Sequence, residues 1–156
     1  MFEKKIANKK VVFLEVISYF SSYKIYLFFC LLLLTTKNVQ LFLEMIFPFL
    51  LCFATTIVFR LFYFKDRPKK EAFNSIFGKI KSSSFPSMHA QIATLISLKL
   101  FIFFSKNKTT IFFITLFFLL SLYARVSLKK HDLTDIIAGV FIASTYFFLS
   151  NAIFFK

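Results

Sequence analysis

Glycine, proline, cysteine and acidic residues are scarce in this chain and tryptophan is absent; each shortage narrows what the protein can be. With only Gly78 and Gly139, no glycine-rich loop can cradle a nucleotide phosphate. The two cysteines, Cys30 and Cys52, fall inside apolar stretches and lack the Cys-x-x-Cys spacing of a zinc site. They read as buried packing residues and say little about redox compartment. Seven acidic residues, widely dispersed, form no carboxylate metal cage, so no metal and no cofactor is expected. No internal repeat or heptad pattern is present.

What the chain has in excess is apolar and basic. Hydrophobic residues make up 58% of it, in blocks, and 27 of its 156 residues are phenylalanine. That pattern predicts an all-α fold: a polytopic transmembrane bundle of about five spans plus an N-terminal amphipathic interfacial helix, in one membrane-embedded domain covering 1–156. The net charge of +13 sits in short loops between apolar blocks, with no polar domain to carry it. Nucleic acid is therefore not the expected partner; anionic lipid headgroups and a membrane lipid substrate are. Lys4, Lys5, Lys9 and Lys10 precede an apolar run as in a signal peptide, but no small-residue cleavage site follows, so the segment is expected to be retained.

Along the chain, Val11–Tyr23 has apolar positions at helical spacing with Glu15 and Ser18 between them, and reads as the interfacial helix. Ile25–Thr36 is apolar but barely long enough to cross. Val39–Phe64 is a span containing Glu44 and Pro48, expected to stop at about Arg67 because Pro68 follows. Arg60 and Arg67, two turns apart, would then share a face. Lys69–Phe85, with Lys70, Glu71 and three consecutive serines, reads as a solvated connector. A span from Phe85 to about Phe104 follows, with Pro86 in its first turn and Lys99 snorkelling to the far interface. The N–H groups of Ser87, Met88 and His89 would point out of that helix end, where an anion binds readily. Thr109–Ala124 and Leu133–Phe155 complete the five crossings.

Five crossings bring Arg60, Arg67, Ser87, His89, Arg125, His131 and Asp135 to one side of the membrane. Three guanidiniums and two imidazoles at one interface are hard to explain as lipid anchors, because ionisable groups are costly in lipid. His131 and Asp135, four residues apart, lie on one face of the first turn of the last span. The carboxylate could orient the ring so that Nε2 acts as a nucleophile. The plainer alternative is that Asp132 caps this helix and Asp135 is an ordinary carboxylate of its first turn. Arginines and a helix N-terminus suit a tetrahedral dianion; one histidine to attack and one to protonate the leaving oxygen suit hydrolysis of a phosphate ester or diphosphate.

These residues carry a resemblance. Arg60 stands six residues before Arg67-Pro68; Pro86-Ser87-Met88-His89 forms a second motif; Ala124-Arg125, then His131 and Asp135, form a third. In order and spacing they resemble the three motifs of the type 2 phosphatidic acid phosphatase family, which includes bacterial undecaprenyl diphosphate phosphatases, over roughly Leu14 to Ser144. The resemblance implies that His131 is the nucleophile, forming a phosphohistidine, with Asp135 orienting it. It implies that His89 is the general acid and then the base for water. Arg60, Arg67, Arg125, Ser87 and the Met88 backbone N–H would hold the phosphoryl oxygens. Arg60 replaces the family's Lys, Met88 its Gly and Ala124 its Ser; a non-glycine at 88 suits a backbone that is already helical. The implied activity is a metal-independent lipid phosphatase of the polyprenyl diphosphate type, with phosphatidic acid or phosphatidylglycerol phosphate as alternative substrates. A headgroup-binding protein without turnover is the rival from another class. The plasma membrane is the expected location. Most basic residues lie on the motif face, which the positive-inside rule turns to the cytoplasm, whereas bacterial relatives commonly face outward.

Overall fold

A computed structural model describes residues 2–35, 37–69 and 74–154, with side chains from residue 9 onward. Thr36, Lys70, Glu71 and Phe155, named above, lie outside the described residues, as do the side chains of Lys4 and Lys5. The elements are α1 (Phe2–Phe20), α2 (Tyr23–Thr35), α3 (Val39–Phe62), α4 (Ile76–Ser82), α5 (Met88–Phe103), α6 (Lys108–Ser127) and α7 (Leu133–Phe154). No strand occurs among the described residues.

Four segments are long and apolar enough to cross a membrane: Lys9–Thr35, Val39–Phe62, Lys108–Ser127 and Leu133–Phe154; Met88–Phe103 is a shorter apolar fifth. The chain thus forms the expected helical membrane bundle. Its outward faces are apolar, as in Phe141, Phe148 and Phe113, which a lipid surround tolerates. The boundary in the first segment differs from expectation. α1 runs to Phe20, and a turn at Ser21–Ser22 separates it from α2, where the Ser21 hydroxyl donates to the Ser18 carbonyl at 3.1 Å. Such a side chain competes with the helix ladder and breaks it. α2 alone has 13 residues, about 20 Å of helix, so crossing requires the end of α1 as well.

The core unites α2, α3, α5 and α7 through Tyr26, Cys30, Phe49, Cys52, Ile92, Leu95, Ala143 and Phe147. The Tyr26 ring stacks on Phe49 with centroids 5.2 Å apart, and its hydroxyl donates to the Met45 carbonyl, satisfying the one polar atom it buries. α1 packs on α6. Asn38 and Asn107 cap α3 and α6 by accepting the Leu41 and Thr110 N–H groups.

Three expectations are corrected here. Lys99 does not snorkel: it is buried, pairs with the Glu44 carboxylate, and so ties α5 to α3 at the end of the bundle away from the motifs. Gln40 also donates to Glu44, and the Ser150 hydroxyl donates to its carbonyl, so this charge pair is held from several sides. Next, α3 ends at Phe62, well before Arg67, so Arg60 and Arg67 do not share a helical face. Beyond Tyr63 the chain is extended because it bonds to another segment: Ser84 donates from its N–H to the Lys65 carbonyl at 2.8 Å and from its hydroxyl to the carbonyls of Lys65 and Asp66. Finally, the connector is not simply solvated. It contains α4, and Ser82, Ser83 and Ser84 are buried, their hydroxyls and N–H groups holding backbone against backbone.

Candidate active site

Each motif residue reaches its place through a local device. α7 begins after a tight corner in which Lys129 takes a positive φ of 52° and the Lys130 and His131 N–H groups both donate to the Arg125 carbonyl. The corner folds His131 back beside Arg125. The Asp132 backbone carbonyl accepts from the N–H groups of Asp135 and Ile136, while the Asp132 N–H donates to Asp135 Oδ2 at 3.0 Å. Asp135 thus supplies the carboxylate half of a capping box, while the Asp132 side chain, expected as the cap, faces Lys65 Nζ at 3.2 Å instead. Asp135 Oδ2 also faces His131 Nδ1 at 3.6 Å, an ion-pair distance longer than a hydrogen bond. Capping and ring orientation therefore share one carboxylate, which is fully buried.

α5 starts at Met88, with Ser87 as its N-cap accepting the Ala90 N–H at 3.4 Å. Pro86 accordingly lies outside the helix rather than in its first turn. The Ser87 N–H is not free for an anion either: it donates to the Asp135 carbonyl at 3.1 Å, joining the second and third motifs directly. The approach is close because α7 presents Gly139, where an added Cβ would come within 2.7 Å of the Ser87 carbonyl oxygen. Met88 is the first helical residue and so needs no positive φ; its side chain packs toward the core and its sulfur accepts from Thr56 at 3.8 Å. Ser87 is completely buried, whereas His89 is half-buried and opens onto a pocket.

The arginines divide. Arg60, buried at the end of α3, donates Nη1 to the Ile80 carbonyl at 3.0 Å and Nη2 to the Pro86 carbonyl at 2.9 Å. It thus fixes the segment that leads into His89. Arg67 donates to the Lys81 carbonyl at 2.6 Å. Arg125 donates to the Ser18 hydroxyl at 2.6 Å and, with His89, Ser18, Glu15, Lys69 and Lys130, lines a polar pocket of about 540 Å3. His89 lies within electrostatic range of Arg125, His131, Arg67 and Arg60. All three motifs therefore converge at one end of the bundle. His131 itself is buried and does not line this pocket, although its neighbour Lys130 does. Burial pushes its imidazole below the ordinary value of 6.5; the Asp135 carboxylate opposes this and the charges of Arg125 and Arg67 reinforce it. The net result is a neutral ring with an available lone pair near pH 7.

Sequence reasoning missed Lys65 and Ser18. Lys65 Nζ donates to Asp135 Oδ1 at 2.7 Å and to Thr134 Oγ1 at 2.9 Å, and lies 3.2 Å from Asp132 Oδ2. Burial lowers its affinity for the proton, but the hydrogen bonds to Asp135 and Asp132 outweigh that and raise it. Ser18 carried a faint signal, a hydroxyl four residues after the buried Leu14 on the inward face of α1.

A helical membrane protein with arginines and two histidines gathered at one end of the bundle is the class this fold and site define. The chain belongs to the PAP2 superfamily, whose profile matches residues 23–156. Members of that superfamily are phosphatases, and the family points to action on lipid phosphates. No curated protein and no solved structure matches the chain significantly.

Proposed function

We propose that this protein hydrolyses a polyprenyl diphosphate to the monophosphate through a phosphohistidine on His131, without a metal ion. The observation that carries the reading is the neutral, buried His131 beside the Asp135 carboxylate, with His89 and Arg125 at the adjoining pocket. Nε2 of His131 attacks the terminal phosphorus as the bond to the bridging oxygen breaks. His89, as imidazolium, gives its proton to the departing lipid monophosphate; the bound phosphate itself favours that protonation. Water then attacks the phosphohistidine, His89 takes its proton, and inorganic phosphate leaves. Arg125 and Arg67 stabilise charge on the phosphoryl oxygens, joined by the Met88 N–H at the helix end. Arg60 and Ser87, whose bonds go to backbone, contribute chiefly by placing that end.

An apolar cleft of about 480 Å3, lined by Phe20, Tyr26, Phe29, Ile96, Phe103 and their neighbours, begins two residues from Ser18 and suits a prenyl chain. The cytoplasmic membrane is the proposed location, and anionic headgroups the surroundings that its basic loops meet. The test is phosphate release by purified protein in chelator from farnesyl or undecaprenyl diphosphate, compared with phosphatidic acid and phosphatidylglycerol phosphate. Turnover of the diphosphates that vanadate blocks and His131→Ala abolishes is expected. Preference for an acyl substrate would overturn the prenyl assignment, and binding without turnover would overturn the enzyme itself.

A further inference from the structure

We propose that Lys65 is a positioning residue for this chemistry: its ammonium holds the Asp135 carboxylate and limits how much of that negative charge His131 experiences. The inference rests on the phosphatase reading above, but Lys65 belongs to none of the three motifs. It lies on the extended connector after α3, anchored by its N–H to Ser83 Oγ and by its carbonyl to Ser84. From there its side chain, a quarter exposed, reaches a carboxylate that is wholly buried.

Distances rank the claims on Asp135. Lys65 holds Oδ1 at 2.7 Å, the Asp132 N–H holds Oδ2 at 3.0 Å, and His131 Nδ1 stands at 3.6 Å. The ammonium, not the imidazole, is the close ionic partner. A carboxylate with a lysine on one oxygen pulls less strongly on a proton at the neighbouring ring, so the ring stays neutral and nucleophilic at rest. The same bond ties the segment bearing Arg67 to the start of α7, keeping an arginine and the nucleophile in register. The charged and titratable groups around this centre are Arg60 from α3, Arg67 from the connector, His89 from α5, Arg125 from α6, and Asp132 and Asp135 at the start of α7. Lys65 is in direct contact with Asp135, Nζ to Oδ1 at 2.7 Å.

The chain has two histidines, so both rings can be followed by NMR in the full-length, detergent-solubilised protein labelled at histidine, with His89→Asn assigning the signals. In Lys65→Met, the His131 titration midpoint should rise by about one pH unit, the low end of what a nearby opposite charge produces. Lys65→Gln, which keeps a donor but no charge, should do the same, and Lys65→Arg should stay with the wild type. The acid limb of kcat/KM should move up with the midpoint, making the loss of activity larger on the acid side of neutrality than on the alkaline side. An unmoved His131 midpoint in both uncharged variants, with activity reduced equally at every pH, would show a purely structural lysine and overturn the proposal. Should the wild type hydrolyse no lipid phosphate while the midpoint still shifts, the phosphatase reading fails and the coupling of Lys65, Asp135 and His131 stands.

Discussion

Substituting Gly139 by alanine should damage activity more than stability. The added Cβ would lie 2.7 Å from the Ser87 carbonyl oxygen and 3.1 Å from the Ala90 Cβ. Comfortable contact needs about 3.5 Å, so α5 and α7 would have to separate locally by roughly 0.5–1 Å. The obstructing oxygen is backbone, so no side chain can swing aside; the first turn of α5 must move as a unit, carrying His89 with it. Overpacking of this kind costs about 1–3 kcal/mol, which should lower the midpoint of thermal unfolding in detergent by several degrees. The displacement also stretches the Ser87–Asp135 bond that joins the two histidine-bearing helix ends. Misplacing reacting groups by this much reduces kcat on the order of 10- to 100-fold. Phosphate release from farnesyl diphosphate, measured beside the unfolding midpoint, gives both numbers. Ile137→Ala, on the exposed face of the same helix, should change neither. Wild-type kcat and midpoint in Gly139→Ala would refute the idea that this contact sets the spacing of the site.

Two further outcomes follow from the charges. His131 has a folded pKa below 6.5, so its neutral state supports folding above that value; as pH falls below 6.5 the unfolded chain takes up the proton first and stability declines until the lowered folded pKa is passed. Unfolding midpoints measured across that acid range should fall less steeply in His131→Asn than in the wild type, and an unchanged slope would count against a buried neutral ring. At the other end of the bundle, Lys99→Met should strand the buried Glu44 carboxylate and cost about 3–5 kcal/mol, whereas the double variant Lys99→Met with Glu44→Leu should recover most of it, as read by unfolding in detergent.

The corner between α6 and α7 shows why so much of the site was legible before any coordinates. Arg125, His131 and Asp135 are close in sequence, so a short corner brings them together, although His131 lies two residues before α7 begins and is set by the Lys129 turn rather than by the expected first-turn helical register. The division into apolar segments was equally local, since each must satisfy its backbone internally and carry its polar residues at its ends. Counting crossings then sufficed to bring Arg60, His89 and His131 to one side.

Contacts between distant residues were not legible. Lys65 and Asp135, Ser18 and Arg125, and Glu44 and Lys99 meet only when separate helices pack, and no periodicity in one segment reports the partner in another. The early end of α3 has the same origin: local preference placed a stop near Pro68, but Ser83 and Ser84 capture the backbone at Lys65 and Asp66 first. Local residue chemistry thus laid out helices and gathered the arginine and histidine residues of the motifs at one end of the bundle. Packing alone chose which cation holds Asp135, which carbonyls Arg60 secures and how closely α5 approaches α7, because those depend on distances between elements that the chain encodes only jointly.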